Sequence, residues 1–163
     1  MRRIKKGDVF KAKLENGEIR YFQYIGKDSS ELDGDVICIF KTHYAEEAGN
    51  QENKILDDEI ECYIHTSVSL GVKWELWEYA FSALPKSEKG IYFRTSMDIL
   101  NSGHPDNIVS HDWVVWEMNK RRKSVGILPK KYHNVDIGGV YAPTHVMDLL
   151  ETGLHPYRGY PTY

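Results

Sequence analysis

Residues 112–153, DWVVWEMNKRRKSVGILPKKYHNVDIGGVYAPTHVMDLLETG, hold the densest organisation in the chain. Trp113, Val114, Val115 and Trp116 form a short apolar run, and Asn119 to Lys123 supply a basic turn. A second run, residues 124–128, returns from it, so the stretch predicts a β-hairpin. Gly138 and Gly139 then lead to a helix. Pro143 suits its first turn, Val146, Leu149 and Leu150 give one apolar face, and Gly153 suits the left-handed position that closes it. Hairpin followed by helix is a scaffold, and no catalytic motif stands in it.

The first part of the chain repeats the strand signal. Phe10, Ala12 and Leu14 alternate with Val9, Lys11 and Lys13, and Glu15-Asn16-Gly17 makes a turn. Asn-Gly favours positive φ, which predicts a type I′ hairpin. Residues 19–25, rich in aromatic and β-branched side chains, form the return strand, and the unbroken apolar run 36–40 predicts a third strand buried on both faces. Three consecutive antiparallel strands predict a meander that curls on itself. A further strand is expected at 60–64 and another over 72–81, where Trp74, Leu76, Trp77 and Tyr79 cluster between Gly71 and Leu84-Pro85. Residues 86–109 have weak periodicity and are expected to be largely irregular, with a short strand at 91–93. The expected fold is therefore α+β, mainly β: a small curled antiparallel sheet or a Src-homology-3-like barrel, with added strands and a C-terminal helix.

With 163 residues the chain is expected to form a single domain, 1–163, since a chain of this size can bury roughly 70% of its unfolded surface. Residues 154–163 form an aromatic tail that is expected to pack on the sheet or fray. A composition of 41% hydrophobic and 28% charged residues, with no run of about 18 apolar residues, fits a soluble protein and excludes a helical membrane span. Basic residues at the N-terminus are not followed by the apolar stretch of roughly 7 to 15 residues that a secretory signal needs, so a cytoplasmic location is expected. Cys38 and Cys62 lie in apolar strand-like runs and are expected to be buried thiols. The net charge of −3 argues against a general nucleic-acid binder and leaves room for a cationic protein partner.

Charge is concentrated between Ala45 and Glu61. Glu46, Glu47, Glu52, Asp57, Asp58, Glu59 and Glu61 face a single lysine, Lys54, in the most acidic window of the chain. Such a window is either a solvated loop flanking a strand or a surface for a basic partner.

Catalytic chemistry is thinly represented. His104, Asp106, His111 and Asp112 are four potential metal ligands within one short loop, but Pro105 and Asn107 suit a polar loop as well, and no metal is expected there. Cys62 and His65 are three apart on an expected strand, so they face opposite sides and cannot form a nucleophile–base pair. No Gly-x-Ser-x-Gly elbow, Walker loop or dinucleotide fingerprint is present, so neither an enzyme nor a cofactor is expected. Lys120, Arg121, Arg122 and Lys123, with Lys130, Lys131, Trp113 and Trp116, could hold phosphates while the indoles stack on bases. A charged hairpin tip beside core tryptophans reads equally well.

Several segments in order, Ile4-Lys5-Lys6-Gly7-Asp8-Val9-Phe10, Tyr21-Phe22-Gln23-Tyr24-Ile25-Gly26, the Trp74 segment ending at Leu84-Pro85, and Val125-Gly126-Ile127-Leu128-Pro129 with Gly138-Gly139-Val140-Tyr141, resemble the immunity protein 26 family of bacterial polymorphic toxin systems. The likeness spans most of the chain and departs from the family at the acidic stretch after Tyr44 and the tyrosine-rich tail. It implies a protein without catalysis that binds and neutralises a cognate protein toxin; on charge, the window Glu46 to Glu61 is expected to meet a basic face of that toxin. Tyr157, Tyr160 and Tyr163 would be candidate aromatic anchors. The two rival readings are a small-barrel protein for single-stranded nucleic acid and a metal-dependent phosphotriesterase-like hydrolase, the latter after a name that some relatives carry.

Overall fold

The computed structural model describes residues 2–47, 49, 51–102 and 109–153, with the backbone alone for 100–102. The strands are β1 (Asp8–Lys13), β2 (Ile19–Asp28), β3 (Gly34–Phe40), β4 (Ile60–Thr66), β5 (Glu78–Ser82), β6 (Tyr92–Ser96), β7 (Trp113–Glu117), β8 (Lys123–Gly126) and β9 (Asp136–Ile137). Among the described residues four short α-helices accompany them: α1 (Glu52–Leu56), α2 (Val68–Lys73), α3 (Met97–Ser102) and α4 (Pro143–Thr152). The first sheet runs β4-β3-β2-β1-β5, antiparallel throughout, and the second runs β8-β7-β6-β9 with β9 parallel to β6. The chain is thus mainly β with a C-terminal helix, as expected. Its two sheets stay open and are not closed into a barrel.

Side-chain alternation explains the layering. On β3, Val36, Cys38 and Phe40 face one way, into a core shared with Phe93, Val114 and Trp116 of the second sheet. Ile37 and Ile39 face the other way, into a core capped by Val68, Trp77 and the α4 residues Val146, Leu149 and Leu150. A strand sandwiched between layers reads as the unbroken apolar run seen in the sequence. The order of layers is second sheet, first sheet, then helices α2 and α4.

Local chemistry fixes the elements. Helix α4 begins with Pro143, ends on Gly153 at φ +65°, and buries its i, i+3, i+4 face, each such side chain contributing about 1.5 to 3 kcal/mol. The β1–β2 connection is not the type I′ turn. Gly17 has φ +87°, Asn16 does not enter positive φ, and the amide of Gly17 donates to the Leu14 carbonyl, giving a three-residue loop closed by a left-handed glycine. Phe10 and Phe22 stack across that hairpin at 5.5 Å, and Trp77 meets Phe22 edge-on.

Two expectations are corrected. The strand over 72–81 is helix α2, then a turn, then β5, because Trp77 lies flat on Gly71, where an added Cβ would sit 1.9 Å from the indole. Among the described residues of 86–109 the expected short strand at 91–93 is the longer β6, which is interior to the second sheet and leads directly into α3. Among the described residues no helix is long and apolar enough to cross a membrane.

Candidate functional site

The acidic window leaves the first sheet between β3 and β4. Its base is pinned. The amide of Lys41 donates to the Glu59 carbonyl at 2.9 Å, and Thr42 donates to Asp58 from both its amide (2.8 Å) and its hydroxyl (2.9 Å). Tyr44 exchanges two backbone bonds with Ile19, and Ile55 of α1 is buried in the core between the sheets. Lys86 reaches the Leu56 carbonyl at the end of α1. A five-residue helix is too short to stand by propensity, so these anchors hold it.

The seven expected carboxylates do not act as one set. Glu47 pairs with Lys11, raising that ammonium above its ordinary pKa, and Glu59 pairs with Lys41 at 2.9 Å with the same effect. Asp58 accepts the Thr42 bonds and the Glu59 amide, which makes it a turn residue. Glu61 receives the guanidinium of Arg20, a buried side chain that also donates to the carbonyls of Phe40 and Leu150. Arg20 therefore ties β2, β3, β4 and α4 together. Glu46, Glu52 and Asp57 remain: all are exposed, and among the described residues none meets a basic side chain. Lys54, the lysine of the window, lies 5.8 Å from the Tyr44 ring.

Two of the four potential metal ligands, His104 and Asp106, lie outside the described residues. His111 and Asp112 donate their amides to the carboxylate of Asp98 at 3.0 and 3.2 Å, and Ser110 adds its hydroxyl at 2.8 Å, which holds Asp98 below the usual carboxylate range. Among the described residues no group of three or more His, Cys, Asp or Glu is placed to share a metal ion. Tyr157, Tyr160 and Tyr163 lie outside the described residues.

No protein-family model, curated protein or solved structure matches the chain.

One polar centre has no signature in the sequence. Asp28, at the end of β2, is fully buried and accepts His65 Nε2 at 3.0 Å, Trp116 Nε1 at 2.9 Å, the Asn119 amide at 3.0 Å and the Ser30 hydroxyl at 2.9 Å. Burial works against its charge, yet those donors outweigh it and leave Asp28 below its ordinary pKa. His65 Nδ1 is buried without a hydrogen-bond partner, and the ring lies 4.2 Å from that of Phe93. An imidazole held by a carboxylate is a common acid–base arrangement, but the outer nitrogen here has neither solvent nor a polar group to exchange a proton with. The centre joins the two sheets.

Trp113 and Trp116 are buried, so neither indole can stack on a base. Cys38 and Cys62 face opposite sides of the first sheet, Cys38 buried and Cys62 half-buried. Burial pushes the Cys38 thiol up to about 12 and Cys62 upward as well, leaving both as poor nucleophiles.

Proposed function

We propose that this chain is an immunity protein that binds a cognate bacterial toxin through the surface carrying Glu46, Glu52 and Asp57, and does so without chemistry of its own. The observation that carries the reading is the division among the acidic residues. Four of the seven are engaged by other side chains of the chain, Lys11, Thr42, Lys41 and Arg20, two of them, Glu47 and Glu59, in surface ion pairs. The other three stand exposed on a segment anchored at both ends. Exposed charges of one sign add little to stability, but they accelerate encounter with an opposite potential and fix register. A pinned base also keeps the ordering cost of binding low.

The ordered likeness to the immunity protein 26 family supports a toxin-neutralising role, while the choice of surface rests on the charges alone, because the acidic stretch lies outside that likeness. The partner is a protein toxin with a basic face, met in the cytoplasm of the producing cell or its kin. Co-expression with a toxin encoded beside the chain's own gene tests it. The chain restores growth, and a variant carrying Glu46→Lys, Glu52→Lys and Asp57→Lys, equally abundant and folded, does not. Growth arrest that the unaltered chain leaves in place counts against the reading.

A further inference from the structure

The second sheet turns one face to the first sheet, and its other face carries a small apolar cluster with more exposed residues beside it. Trp113, Val115 and Leu128 form a small cluster there with Val125 and Tyr132. Beyond it, the register places Arg94, Val115 and Lys123 in one row across β6, β7 and β8, and Tyr92 beside Glu117 in the next. Tyr92 is 39% exposed, and its ring lies 6.1 Å from that of Tyr132. Between them and the β7–β8 turn opens a cleft of about 160 Å³, lined by both tyrosines, Val115, Glu117, Lys120, Arg121 and Lys123. Lys130 and Lys131 adjoin it, Lys131 Nζ lying 4.8 Å from the Tyr132 ring centre.

The charges here are sorted in the opposite sense to those around α1. Lys120 is engaged by Glu117 and Arg122 by Glu31. Arg121, Lys123, Lys130 and Lys131 are exposed, and among the described residues none meets a carboxylate. A sheet face with one exposed ring, Tyr92, beside a partly buried one, Tyr132, and edged by exposed cations offers a ring system a surface to stack on and a phosphate chain a positive border.

We infer that this face binds single-stranded nucleic acid, one base stacking in the cleft on Tyr92 and Tyr132 while Arg121, Lys123, Lys130 and Lys131 take the flanking phosphates. The site is separate from the acidic surface and does not depend on the toxin-binding reading. An acidic polypeptide would match the cations but would make no use of the rings.

Fluorescence anisotropy of a short labelled oligo-dT, titrated with the full chain at low salt, tests the inference. Saturable binding that weakens with salt is expected. Arg121→Glu with Lys123→Glu abolishes it. Tyr92→Ala weakens it at least about five-fold, a typical loss for one stacked base, and Tyr92→Phe preserves it. Circular dichroism melts confirm that each variant is folded. The inference is overturned if the unaltered chain shows no saturable binding, if the tyrosine series has no effect, or if unlabelled poly-glutamate competes as well as unlabelled oligo-dT.

Discussion

His65 Nε2 stands 3.0 Å from Asp28 Oδ2, and neither side chain reaches solvent. One comes from β4 and the other from the end of β2, and the same carboxylate oxygen takes the indole N–H of Trp116 on β7. A single buried acid thus stitches the two sheets together. Asp28→Ala strands two buried donors, from His65 and Trp116, also frees the part-buried Asn119 amide, and is expected to cost about 3 to 5 kcal/mol. Urea denaturation measures it. A loss below about 1 kcal/mol would mean that the sheets hold without the carboxylate.

The same centre sets a pH response. Burial lowers the His65 pKa from 6.5, with Asp28 only partly offsetting it. The unfolded chain then takes up the proton first as pH falls, so the stability His65 contributes is complete above about 6.5 and is lost as pH drops below it. With Nε2–H donating to Asp28, a proton on Nδ1 would be buried against Phe93 without an acceptor. Ring ¹⁵N shifts at pH 6.5 are expected to show neutral imidazole with the proton on Nε2. An imidazolium there would contradict the geometry.

Asp136 acts in the opposite direction. Burial raises its carboxyl from 3.8 to about 6, against the Tyr63 amide and Arg94, which favour the charge. Its contribution is complete below 3.8 and is lost as pH rises through 6. Asp136→Asn keeps an acceptor for the Tyr63 amide and is expected to raise stability at pH 7 by about 1 kcal/mol. The gain should vanish near pH 4, which paired thermal melts would show.

Two glycines are needed for closeness rather than for a turn. An added Cβ at Gly138 would sit 2.0 Å from the Trp116 ring, and at Gly71 it would sit 1.9 Å from Trp77. Gly138→Ala and Gly71→Ala should each destabilise by about 1 to 3 kcal/mol. Trp116→Leu should relieve the first, a coupling that a double-mutant cycle reads directly.

The parts legible in the sequence are those whose signal is local. The meander β1–β3, the β7–β8 hairpin and helix α4 carry period and punctuation within their own residues. Helix α2 does not, because six residues cannot display a 3.6 period, and Trp77 packing on Gly71 decides its conformation. Strand β6 is mostly hidden because its polar residues, Arg94, Thr95 and Ser96, weaken the alternation. The acidic window is visible as composition, but its division is not: Arg20 meets Glu61 across 41 positions, and Lys11 meets Glu47 across 36. Asp28 looks like a turn residue after Gly26 and Lys27, with its partners 37 and 88 positions away.

The proposed function rests on Glu46, Glu52 and Asp57 carrying the potential that draws the partner in. Stopped-flow association with the cognate toxin, across a range of salt, tests it most directly. Glu46→Lys, Glu52→Lys and Asp57→Lys together should slow association about ten-fold or more at low salt and flatten its salt dependence. An association rate and salt slope equal to those of the unaltered chain would contradict it.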